Sequence, residues 1–276
     1  MRGDGRVHSR RRSRKTAAEQ FGAALPDGCR AAAVVMACNE EQTLPLVLSE
    51  LAKLPLEEIV VVLNGCTDGS FREARSYPGA TIVHFPDKIG HDVGRAVGAR
   101  MCTADIVLFV DGDFRIAAEK LKPFIAAVAR GADVALNNIS PYLPLFRDWD
   151  DVTRLKAFLN LSLGRPDLHA NSLTSVPHAL SRRAIERIGA GLLAVPPKAQ
   201  AVAIQQGLAV RTAASVNVVA SNRIRKDNVG RGNEVARLIV GDHVEALKHV
   251  MDKGGARLSK ADGSRRRDVI GRSREQ

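Results

Sequence analysis

The feature that most constrains this chain is a train of short apolar segments, each followed by a polar cluster and then a helical pattern. "AAAVVMA" (31–37), "EIVVVL" (58–63), "ATIVHF" (80–85), "DIVLFV" (105–110) and "DVALNN" (133–138) read as strands. Between them, "TLPLVLSELAKL" (43–54), "SFREARSY" (70–77), "DVGRAVGARMC" (92–102) and "AAEKLKPFIAAVAR" (117–130) read as helices. Thr43 is placed to cap the first of these, with Pro45 in its first turn. Strands that are apolar on both faces and alternate with helices indicate a mostly parallel sheet covered on both sides. In such sheets ligands bind outside the carboxyl ends of the strands. "CNEE" follows the first strand, "NGCTDGS" the second and "DGDF" the fourth. All three clusters are therefore expected on one edge.

The second half is less regular. "DDVTRLKAFLNLSL" (150–163), "RRAIERIGAG", "KAQAVAIQQG" and "NEVARLIVGDHVEALKHVMDK" have helical spacing, and "LAVRTAASVNVVAS" holds one or two strands. The turn-rich stretch 164–181 is suited to shaping a pocket. No clean linker separates the halves, so the expectation is one domain. Two unequal halves span 29–130 and 131–252, with basic tails at 1–28 and 253–276.

Charge supports that division. The net charge is +11, but residues 1–15 hold seven Lys/Arg against one acid, and residues 253–276 eight against three. The chain between them is close to neutral. The basicity thus belongs to solvated arms suited at most to loose contact with a polyanion or a membrane surface. With aromatics at 4%, no nucleic-acid partner is expected. No window resembles a membrane span or a secretory leader, and Cys29, Cys38, Cys66 and Cys102 show no metal-binding spacing. A cytoplasmic protein, at most peripheral to a membrane, is the expectation.

Asp111 and Asp113, separated by Gly112, are the central candidates. Two close carboxylates repel unless a cation lies between them. Oxygen donors suit Mg²⁺ or Mn²⁺ completed by water and phosphate. The competing reading is an Asp-Gly turn that caps the next helix. Asn64 offers the donor and acceptor a base edge requires, and "CNEE" either caps its helix or places Asn39 and Glu40 against a nucleoside. Asp68 or Ser70 reads as a helix cap. In "KIGHDVGRAVGAR" (88–100) the four-residue glycine spacing predicts close helix packing. His91 and Arg95 would share a helix face there, with Arg95 able to neutralise phosphate.

In this order, "VVMACNEE", "IVVVLNGCTDGS", "GRAVGAR" and "VLFVDGDF" resemble the family 2 glycosyltransferases, over residues 33 to about 128. The resemblance implies the GT-A fold, a Rossmann-like sheet flanked by helices, and transfer of a sugar from a nucleotide-sugar, with a UDP-sugar the expected donor. It implies nucleoside contacts from Asn39, Glu40 and Asn64, pyrophosphate contacts from Arg95, and a metal–diphosphate site at Asp111 and Asp113. No acceptor is readable.

Two departures matter. Family members often carry two aspartates where this chain has Leu63 and Asn64. Inverting members also place an acidic pair, one of which serves as general base, at a helix start that here corresponds to 194–210; that stretch contains no acid. A base would have to come from elsewhere, with Asp148, Asp150, Asp151 and His178 as candidates, or the enzyme retains configuration. The chain also resembles, more distantly, the retaining glucosyl-3-phosphoglycerate synthases. Where those carry a late metal-binding histidine, this chain has Asn222 and Arg223; His243 is an alternative late ligand, with a place on a helix face as the competing and favoured reading. A non-catalytic nucleotide-sugar-binding relative is the competing function. A nucleotidyltransferase would need a glycine-rich loop after the first strand, which "ACNEEQTLP" lacks.

Overall fold

The computed structural model describes residues 25–218, 233–263 and 265. Its first half contains strands β1 (Ala31–Ala37), β2 (Glu58–Asn64), β3 (Ala80–Phe85), β4 (Ile106–Asp111) and β5 (Val134–Asn137). They alternate with helices α1 (Leu44–Leu51), α2 (Ser70–Ser76), α3 (Val93–Met101) and α4 (Ala118–Ala129). Then come α5 (Asp151–Ser162), β6 (His178–Ser181), α6 (Arg182–Ile188), α7 (Pro196–Gln205), β7 (Val210–Ala214) and α8 (Glu234–Gly254). One seven-stranded sheet runs in the order β3-β2-β1-β4-β6-β5-β7. β1 is parallel to both β2 and β4, and β2 to β3. β6 is antiparallel to both β4 and β5, so β4 and β5 point the same way.

The two-residue period of the strands divides the core. Ala33, Val35, Ile59, Val61, Leu63, Leu108 and Val110 face one layer, packed against Leu44, Leu48 and Leu51 of α1 and Leu121, Phe124 and Ile125 of α4. The intervening residues Ala32, Val34, Val60, Val62, Val107 and Phe109 face the other, against α3, α6 and α7. Burial on both faces is why these strands carry no polar residue in mid-run. A smaller cluster of Leu159, Ala201, Ala246 and Val250 joins α5, α7 and α8.

The glycine spacing in α3 serves this packing. A methyl group on Gly98 would overlap the Val34 side chain, and one on Gly94 would stand 3.0 Å from Met36 Cγ. Gly90 lies ahead of the helix at φ +112°.

The stretch 164–181 ends in β6, a strand not expected from the sequence. Its four residues are too few to show a period, and its place between β4 and β5 depends on a tertiary partner.

Candidate functional site

The carboxyl ends of β1, β2 and β4 open onto a cleft of about 150 Å³. Glu40, Asn64, His91, Arg95, Asp111 and Asp113 all line it, together with Asp92. Residues from four separate segments thus meet at one edge because parallel strands deliver their ends to the same side. Gly112 lies close against β1: its N–H donates to the Met36 carbonyl at 2.7 Å, and a Cβ there would come within 2.9 Å of Ala37 Cβ. The glycine between the two aspartates is therefore needed for packing against the neighbouring strand.

The cleft is strongly polar. Burial, reinforced by the charges of Asp113 and Asp92 and opposed by Arg95 and His91, pushes Asp111 up to about 6. Arg95 is 4% exposed; its guanidinium pairs with Asp92 at 3.1 Å and donates to the Leu173 carbonyl at 2.8 Å. Its Nε is buried without a hydrogen-bond partner among the described residues. Asp92 is held at φ +60°, immediately before α3, and lies 3.8 Å from His91. His91 therefore reaches the cleft from the loop ahead of the helix rather than from a shared helical face.

Several predicted residues also hold the site together. Asn64 Oδ1 accepts from Ile89 N at 2.8 Å and its Nδ2 donates to the Gly90 carbonyl at 2.9 Å, fastening the loop that carries His91. Each amide atom keeps one further hydrogen-bonding position. Glu40 is 3% exposed and accepts from the Thr43 hydroxyl at 2.8 Å. Thr43 stands at the α1 N-cap, but its side chain makes no cap bond. Asn39, at φ +59°, accepts from Thr67 N at 2.7 Å and does not line the cleft. It braces the β1 and β2 loops against each other. Asp68 accepts from Ser70 N and Glu41 N, both at 3.0 Å; the N-cap of α2 is Gly69, without a side-chain cap bond, so Asp68 braces the turn rather than capping the helix as expected.

The candidate bases have other employment. His178 is corrected to a core residue. It is 1% exposed, stacks on Phe109 at 5.2 Å, and burial lowers it to about 3, so its ring stays neutral and enclosed. Asp150 caps α5 by accepting from Thr153 N at 2.7 Å. Asp151 pairs with Arg154 at 3.3 Å, and Asp148 with Arg147 at 3.5 Å. None of the four lines the cleft. Asn222 and Arg223 lie outside the described residues. His243 is fully buried on α8, with Nδ1 2.7 Å from the Ile239 carbonyl and Nε2 without a partner among the described residues.

Sequence reasoning missed Asp92, Lys156, Asp242 and Glu50. Asp92 was legible as an acid at a helix start. Burial lowers Lys156 to about 8, with Arg95 pushing the same way and Asp150 and Asp92 opposing. Burial raises Asp242 on α8 to about 6, with Asp92 adding to it. Glu50 of α1 receives Ala118 N at 3.0 Å and Arg115 Nε at 2.7 Å, and pairs with Lys53 at 2.9 Å. It anchors the segment that follows Asp113. Nothing local marks the burial of these last three, and Arg115 and Ala118 reach Glu50 from distant positions in the sequence.

Comparison with solved structures finds the same fold in glucosyl-3-phosphoglycerate synthase from Mycobacterium tuberculosis. The complex with Mn²⁺, UDP and phosphoglyceric acid matches at 18% identity and a TM-score of 0.60, covering 86% of this chain and 81% of that one. The complex with Mn²⁺, UDP-glucose and phosphoglyceric acid matches at 20% identity and 0.60, covering 79% and 80%. A structure described as a mycobacterial protein matches at 18% and 0.60, covering 84% and 78%. A search of curated proteins returned no match. The model of glycosyl transferase family 2 matches residues 32–188, which include every strand-end cluster that builds the cleft. On that match, and with the GT-A sheet it leads one to expect, the chain belongs to glycosyl transferase family 2.

Proposed function

We propose that this glycosyltransferase takes its sugar from a UDP-sugar and uses Mg²⁺ or Mn²⁺ held by Asp111 and Asp113. The observation that carries the reading is the convergence of Glu40, Asn64, His91, Arg95, Asp111 and Asp113 on one cleft. The donor set fits a hard cation: Asp111 and Asp113 line the same cleft, and burial, with Arg95 opposing and Asp113 adding, raises Asp111 to about 6. Two carboxylates leave the remaining positions of such a cation to diphosphate oxygens and water. Such an ion, once bound, neutralises charge on the departing nucleoside diphosphate.

The chain's own residues do the rest. Arg95, fixed by Asp92 and Leu173, presents positive charge to the cleft that contains Asp111. Asn64 has hydrogen-bonding capacity left for a base or ribose. In this reading residues 29–130 form the donor half and 131–252 the acceptor half. Transfer with retention is favoured over inversion by α7: it contains no carboxylate, and Gln200 at its centre is 1% exposed and committed to a buried network. One of the solved structures that share the fold, a complex of the Mycobacterium tuberculosis synthase, contains UDP-glucose and Mn²⁺, in keeping with this donor.

Calorimetric titration of UDP with and without Mn²⁺ tests the proposal. Wild type should bind UDP more tightly with the metal, and Asp113→Ala should lose that enhancement. Equal metal-dependent affinity in Asp113→Ala would remove the assignment.

A further inference from the structure

A line of exposed apolar side chains lies outside the cleft. After β5 the chain leaves the sheet on the edge where β4 delivers Asp111, and forms a loop with short helical turns at Ser140–Tyr142 and Phe146–Asp148. In it Leu145 is 66% and Phe146 67% exposed. The loop is nevertheless built: Phe146 packs on Trp149 at 5.0 Å, and Trp149 Nε1 donates to the Pro144 carbonyl at 2.9 Å. Arg154 of α5 donates to the Arg147 carbonyl at 3.1 Å, joining the loop to the helix. Four and seven residues beyond Arg154, on the same helical face, are Phe158 and Leu161, also exposed. At the end of that stripe Ser259 N and Oγ both donate to the Ser162 carbonyl, at 3.2 and 2.7 Å.

Ser259 lies within the C-terminal stretch 253–276, whose eight basic residues face three acids. The apolar stripe thus leads directly to the root of a strongly basic arm. The acids beside the stripe are already satisfied: Asp148 by Arg147, Asp151 by Arg154, and Asp150 by the helix start. Exposed aromatic and aliphatic side chains close to cationic ones, here Arg257 and Lys260 on either side of Ser259, are what a surface needs to settle into the headgroup region of an anionic bilayer.

We propose that Leu145, Phe146, Phe158 and Leu161 dock this protein on anionic lipid membranes, with Arg257 and Lys260 beside Ser259 supplying the electrostatic attraction. The inference does not rest on the donor or metal assignment. Docking would hold the edge carrying the cleft beside the lipid surface.

Co-sedimentation of the full chain with phosphatidylcholine vesicles, with and without phosphatidylglycerol, tests it. Partitioning should be about tenfold or more stronger with the anionic lipid, and Phe146→Asp/Phe158→Asp should reduce it about tenfold. Leu145→Ser/Phe146→Ser gives a second, milder variant, and unchanged circular dichroism and melting establish that both fold. Three results would overturn the proposal: no preference for anionic vesicles; variants that partition like wild type, leaving the arm as the sole cause; or sedimentation showing a wild-type dimer that Phe146→Asp/Phe158→Asp dissociates.

Discussion

Replacing Glu50 with glutamine should loosen the segment that carries the two central aspartates. Glu50 is 2% exposed, and hydrogen bonds from Lys53 and Ala118 N, with Arg115, hold it down at about 2 against burial, which opposes them. A depression of that size corresponds to at most about 3 kcal/mol. Arg115 and Lys53 are each 56% exposed, so solvent screens the pairs, and the expected loss at neutral pH is about 1–2 kcal/mol. Glutamine preserves the shape and the bond from Ala118 N but loses the charge, and it can turn an N–H towards Arg115. The pH dependence follows from the depressed value. The stabilisation is fully present above the unfolded carboxyl range, near 4.5, and is lost as pH falls through it towards 2. Urea unfolding of wild type and Glu50→Gln, followed by circular dichroism, should show the full gap at pH 7 and less than half of it by about pH 3. No gap at pH 7, or a gap undiminished at pH 3, would refute an ionised Glu50 as the anchor. Because the anchor ends at Ala118, five residues beyond Asp113, UDP affinity with Mn²⁺ should fall in the same variant.

Three further predictions concern the site and its supports. Asp111→Asn should stabilise the metal-free protein by about 1–2 kcal/mol at pH 7.5. Burial raises the folded Asp111 to about 6, so stability present below about pH 4 is lost as pH rises through 6; equal melting temperatures at pH 7.5 would count against that. Gly98→Ala should cost about 1–3 kcal/mol in urea unfolding through overlap with Val34, and a neutral result would mean that α3 can move off β1. Gln200→Leu should cost about 2–4 kcal/mol, since it leaves Leu173 N and Asn160 Oδ1 buried without this partner. Leu173 also receives Arg95, so weaker UDP binding should accompany the loss; unfolding unchanged from wild type would show that water replaces the amide.

The first half of the chain was readable because its information is local. Val60, Val61 and Val62 need no distant partner to specify a buried strand, and "CNEE", "NGCTDGS" and "DGDF" directly follow strands whose direction fixes where they emerge. The alternation of strands and helices determined a mostly parallel sheet, and the ends of its strands determined one polar edge. The supports of that edge were not readable in the same way. Glu50 reaches Arg115 from 65 positions away, and Leu173 meets Arg95 from 78 positions away; no period or motif encodes such a meeting. Likewise, nothing in "HALS" separates a four-residue strand from a turn, and nothing around His178 foretells that Phe109 encloses it. The sequence alone determined which residues stand at the strand ends. The tertiary structure decided which of them face a shared cleft and which, like Asn39 and His178, are taken up in bracing and packing, because burial and hydrogen-bond partners exist only once distant segments meet.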